Sequence, residues 1–157
     1  MRDTITIGAV GGIVGTVGMH LTNLILKYLG IVKITSMQIT ATLFLNWDQA
    51  NTTYGTIIGL INHLFIGSII GVIIAFVFKY FGKDYYLIKG LGITGLGYLV
   101  GMGFVIPLIG AVPQIRSDTL TLLGHIISYT VFGIISSYVI AHYSRFGVKR
   151  LVRNPKL

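Results

Sequence analysis

The chain has 157 residues, of which 54% are hydrophobic and only 10% charged, with 21 glycines, no cysteine, a net charge of +8 and a mean hydropathy of +0.83. Those proportions exclude a soluble globular domain and place the chain in a bilayer, where the core is built helix against helix. The lack of cysteine removes disulfides, thiolate metal sites and thiol nucleophiles, and the positive charge reads as a topological signal with no nucleic-acid partner.

Charged residues cut the chain into four apolar stretches. Histidine aside, nothing ionised lies between Asp3 and Lys27, Asp48 and Lys79, Lys89 and Arg116, or Asp118 and Arg145. Each gap exceeds the roughly 20 residues that cross the hydrocarbon. The fold class is therefore an all-α integral membrane protein, one domain over 1–157, with four transmembrane helices in an up-down bundle at about 4–26, 55–78, 89–109 and 119–142. The first is too long for a removed signal peptide and lacks its small-residue cleavage pattern.

Along the first span, Gly8, Gly12, Thr16 and His20 recur at steps of four and so share one face. The loop 31–55 follows, and its run ITATLFLNW is expected in the membrane interface with Trp47 at headgroup level. Asn51-Thr52-Thr53 is a glycosylation sequon, meaningful only in a secretory pathway. The second span carries Gly59, His63, Gly67 and Gly71, with Asn62 beside the histidine; the third carries Gly90, Thr94, Tyr98 and Met102; the fourth carries Thr121, His125, Tyr129, Gly133 and Ser137. In these rows Gly8, Gly12, Gly67, Gly71 and Gly133 are read as packing positions that let backbones approach. The dinucleotide-like spacing from Gly90 to Gly95 follows no soluble strand and is also packing.

Basic residues set the orientation. Arg2, Lys79, Lys83, Lys89, Arg145, Lys149, Arg150, Arg153 and Lys156 fall on one side, and Lys27, Lys33 and Arg116 on the other. Nine against three puts both termini in the cytoplasm and the loop 31–55 outside. The tail 143–157 holds five of the nine and suits anionic headgroups. The Ile-, Lys- and Tyr-rich usage points to a bacterial cell membrane.

Two segments resemble one another. NHLFIGSIIGVII (62–74) and GHIISYTVFGIIS (124–136) match His63 with His125 and Gly71 with Gly133; GIVGTVG (12–18) and GITGLGY (92–98) match Gly12 with Gly92 and Gly15 with Gly95. This pattern predicts a parallel two-helix internal repeat, the first two spans against the last two.

His20, His63 and His125 lie at depths that differ by only about 3 Å at the helical rise per residue. They are expected to form one layer, with Met19, Asn23, Asn62, Met102 and Tyr129 near it, while His142 sits at the interface. Two accounts of the layer stand at this point. In the structural one, each imidazole donates to a carbonyl, Asn or Tyr of a neighbouring helix. In the functional one, polar groups held in lipid mark a site: haem b ligated by His63 and His125, with Gly67 and Gly133 making room for the ring and Lys27, Lys33 or Arg116 meeting propionates, or a metal or cation site on His20, His63 and His125. The carboxylates Asp3, Asp48, Asp84 and Asp118 all lie at or beyond span ends, so no acid orients a histidine base. The leading expectation is a non-enzymatic binding, accessory or assembly subunit, as a homo-oligomer or with a partner membrane subunit; a haem electron carrier and a cation or small-solute transporter or channel component are the alternatives.

Overall fold

The computed structural model describes residues 3–112, 115 and 118–146. Arg2, Arg116 and the basic tail beyond 146, expected to meet anionic headgroups, lie outside the described residues. The described residues are helical with no strand, and four helical stretches are long and apolar enough to cross a membrane: α1 (Thr4–Tyr28), α4 (Thr53–Phe81), a composite third span (Tyr86–Ile109) and α7 (Thr119–Tyr143). Two short helices, α2 (Ser36–Ala41) and α3 (Trp47–Ala50), lie in the connection from α1 to α4.

Local chemistry starts and stops these helices. The Asp3 carboxylate accepts from the Ile5 and Thr6 amides and from the Thr6 hydroxyl, capping α1. Asp118 caps α7 through the Thr121 amide, 3.2 Å away, and pairs with Lys33 at 3.2 Å; those two partners hold its carboxyl below the usual aspartate range. At the far end of α1, Gly30 takes φ 73° while Ile31 N donates to the Leu26 carbonyl and Gly30 N to the Lys27 carbonyl. That crossed pair needs a left-handed residue, which glycine adopts without a Cβ penalty.

α1 is gripped on two sides. Toward α4, a Cβ on Gly12 would collide with the Gly67 carbonyl, and one on Gly71 would collide with the Gly8 carbonyl and come within 2.6 Å of the Gly12 Cα. Toward α7, Gly11 lies against Ile140, Gly15 against Ser136 and Gly18 against Ile135. In both interfaces numbering rises on one helix as it falls on the other, so α1 runs antiparallel to α4 and to α7. The third span packs on α7 in the same sense, with Gly90 against Ser137 and Gly133 against Thr94. An apolar core of Ile7, Met19, Ile74, Ala75, Phe78, Phe132 and Ile140 fills one end. A second cluster, Ile39, Ile106, Val112 and Ile115, fills the other, and Trp47 is half-buried against it.

The third span departs from a regular helix. α5 (Tyr86–Tyr98) gives way to a π-helical segment, Leu99–Val105, before α6 (Ile106–Ile109). Pro107 accounts for the change: it lacks an N–H, and its ring would press on the carbonyl four residues earlier, that of Gly103. Wider i to i+5 turns relieve that clash. No residue of the π segment is buried.

At the other end of the bundle two lysines close helix C-termini. Lys83 Nζ donates to the Ala141 and Ser144 carbonyls at 2.6 and 2.7 Å, and Lys89 Nζ to the Phe81 and Gly82 carbonyls at 2.8 and 2.9 Å. Both satisfy carbonyls that the helix itself leaves unpaired, where the helix dipole favours a cation.

The two halves of the predicted repeat place matched glycines in unlike surroundings. Gly12 and Gly15 are wedged between helices, whereas nothing lies within 4 Å of a Cβ on Gly92 or Gly95. Gly71 and Gly133 each face a neighbouring span, α1 and α5 respectively.

Candidate functional site

The three histidines of the predicted layer are all buried, yet they do different things. His125, on α7, has Nε2 3.0 Å from the Ile34 carbonyl and Nδ1 3.4 Å from the Asn23 side-chain nitrogen. A carbonyl only accepts, so Nε2 carries the proton and Nδ1 accepts from Asn23. Asn23 also donates to Ser128 at 3.3 Å and accepts from the Ser36 amide at 3.1 Å, while the Lys33 amide donates to Thr121 at 2.9 Å. The non-helical backbone from 33 to 35 and the first amide of α2, that of Ser36, are thus tied to side chains of α1 and α7. Irregular backbone is tolerated at such burial only when its polar groups are met in this way.

His20 and His63 form a pair instead. Their ring centroids are 4.8 Å apart and nearly perpendicular, at 76°. Both nitrogens of His20 and Nδ1 of His63 are sealed from solvent without a hydrogen-bond partner, as are the Ser36 hydroxyl and the Asn62 amide nitrogen. A buried polar atom left so costs about 1–3 kcal/mol, so five of them in one region call for an explanation. Tyr129 stands 6.3 Å from His63, and Tyr98 stands 5.1 Å from Tyr129, ring centre to ring centre.

Beside this pair α4 and the third span part to leave a cleft of about 300 Å³. Ser36, Ile39 and Leu43 roof it, Ile66 and Ile70 of α4 and the π segment wall it, and His63 and Tyr129 close its back. No charged side chain among the described residues lines it. Nε2 of His63 is the one nitrogen of the histidine pair that is not sealed, so the ring presents that atom to the cleft. A larger cavity of about 420 Å³ on the other side of the third span is lined by aliphatic residues, Pro107 and Tyr98, and a third of about 230 Å³ lies between α5 and α7. Among the described residues neither touches one of the sealed unpaired atoms, although Tyr129 borders the third cavity as well as the cleft. The cleft is therefore the place where an occupant has something to satisfy.

The haem arrangement finds other uses for its residues. Both ring nitrogens of His125 are engaged, by Ile34 and Asn23. Where Gly67 and Gly133 would admit a porphyrin edge, Thr16 and Gly12 meet the first and Thr94 and Leu91 the second. Lys33, one candidate for a propionate, pairs with Asp118. As for a metal, no three His, Asp or Glu converge among the described residues; His20 and His63 come together and His125 is turned to the 33–36 backbone. His142 bonds through Nδ1 to the Tyr138 carbonyl at 3.0 Å near the end of α7.

Ser36 escaped sequence reasoning because it lies in a connection whose path depends on Asn23 and His125. No family model matches the chain, and no curated protein or solved structure matches it.

Proposed function

We propose that this protein is a non-enzymatic membrane binding protein that takes up a molecule dissolved in the bilayer, in the cleft between α4 and the third span. The observation that carries the reading is the placement of His63: 5% exposed, without a hydrogen-bond partner among the described residues, and forming part of the wall of a largely apolar cleft. An imidazole so placed lowers stability until something pairs with it. Sites for small molecules combine apolar walls with a few convergent polar groups in this manner. Catalysis has less support, because Asp3 and Asp118 serve as helix caps and no carboxylate lines the cleft to orient a histidine base.

In this reading the chain is a multi-pass protein of a bacterial cell membrane with both termini in the cytoplasm. The α2–α3 connection then faces outward and roofs the cleft, and the basic tail meets anionic headgroups. The exposed face of the third span, bearing Gly92, Gly95 and Gly103, is available to a second copy or a partner subunit.

Binding is tested by purifying the wild-type protein and Ile66→Trp, which fills the cleft, in a mild detergent and extracting both for mass spectrometry. The wild type is expected to retain a lipid-soluble species in near-equimolar amount and Ile66→Trp to lose it with its helical circular dichroism intact. Equal retention by both proteins, or none by the wild type, would overturn the reading.

A further inference from the structure

We infer that the cleft selects a lipid without an ionised headgroup, one bearing a free hydroxyl or an ester carbonyl, recognised by His63 Nε2 and the Tyr129 hydroxyl. This rests on the binding function proposed above and adds the chemical class of the ligand.

Charge excludes one large group of candidates. Among the described residues no charged side chain lines the cleft, and Lys33, a basic residue on the nearby connection, is already paired with Asp118 and has its side chain 74% exposed. A phosphate drawn into the cleft would have no counter-charge in a medium where an unpaired charge is very costly. Its headgroup must remain outside, and the head is what the cleft walls would have to hold.

Hydrogen bonding excludes the opposite extreme. A pure hydrocarbon would fill the apolar walls formed by Ile66, Ile70 and Val100 but would leave the polar groups at the back unpaired. Among the described residues, the Tyr129 hydroxyl has no hydrogen-bond partner and is not sealed, and the same holds for His63 Nε2. A neutral imidazole offers one N–H and one lone pair, and a phenol offers both roles at one oxygen. Together they match an uncharged hydroxyl, which donates and accepts, or an ester carbonyl, which accepts from the phenol or from the imidazole N–H. The 300 Å³ of space corresponds to about ten waters of liquid volume, enough for a glycerol-sized head and its first methylenes, with the acyl chains left to run into the bilayer between α4 and the third span.

The test uses two probes with the same diazirine-bearing acyl chain, a diacylglycerol and a phosphatidic acid, each added to the full-length protein in phosphatidylcholine nanodiscs and mapped by peptide after illumination. The diacylglycerol is expected to label the segments 59–73 and 97–106, and the phosphatidic acid to label them about ten-fold less or weaker still. Equal or stronger labelling by phosphatidic acid would overturn the selectivity while leaving the binding function standing. Labelling by neither probe above the Ile66→Trp background would remove the binding function and this inference with it. His63→Phe keeps the ring and removes the hydrogen bond, so diacylglycerol labelling should fall about five-fold with no loss of thermal stability, because the variant also deletes an unpaired polar atom. A melting temperature that drops together with the labelling would show His63 to be structural and overturn its assignment as the recognising group.

Discussion

Histidines of similar burial can have opposite energetic roles, and the surrounding backbone decides which. His125 meets an Ile34 carbonyl that no helix can pair, so it adds stability by satisfying a group already present. His63 meets another imidazole, the Tyr129 ring and a cleft, with no hydrogen-bond partner among the described residues, so in the empty protein it adds a cost. His125→Ala should therefore destabilise the fold by about 1–3 kcal/mol for the stranded carbonyl, with more for the void left by a fully buried side chain. It should also loosen the 33–36 connection, read as faster maleimide labelling of a cysteine placed at Ser36. Unchanged labelling would show that the connection is held by something else, such as the Lys33–Thr121 bond.

At the scale of elements, close packing depends on the absence of a side chain. Gly71 lies against both Gly8 and Gly12, so Gly71→Leu forces α1 and α4 apart where backbone meets backbone. Overpacking of this kind costs about 1–3 kcal/mol or more, and the variant should show a lowered melting temperature in detergent; Gly92→Leu, where a Cβ meets open space, should leave it unchanged. A variant pair with equal melting temperatures would mean the α1–α4 fit contributes little. The rows that meet here were legible in the sequence because four-residue spacing on a helix is geometry, independent of tertiary context. Less legible was the second row, Gly11, Gly15 and Gly18, which turns to α7: in a helix this rich in glycine several faces satisfy the same rule. The π segment has no compositional signature beyond Gly103 and Pro107 at the spacing that makes them clash. Burial of α2 rests on its packing against α4, where Gly59 meets the Met37 carbonyl, and on the Ser36–Asn23 and His125–Ile34 bonds, the second spanning 91 residues of chain, which local pattern does not record. Depth arithmetic brought His20 and His63 to one level, but the cleft beside them is a failure of two spans to meet, and local pattern carries no record of that.

For the whole molecule, two basic residues have a structural use beyond the orientation that the sequence predicts for them. Lys83 and Lys89 read as orientation signals in the sequence, and each closes a helix end in the structure. With no native cysteine to interfere, single cysteines at Gln49 and at Asp84 report orientation directly. In intact cells a membrane-impermeant maleimide should label Gln49→Cys and spare Asp84→Cys; the reverse pattern would invert the protein in the membrane. The arrangement of spans also bears on how the chain is made. Synthesis delivers them in order, and of the successive spans the second and third grip one another least: the third span packs chiefly on α7 and touches α4 sparsely. When α1 and α4 have locked, the third span must wait beside them for a fourth that is still in the ribosome. During that wait the seam along α4, later the cleft, stands uncovered, and under the proposed function this is when a lipid enters, to be enclosed as α7 draws the third span into place.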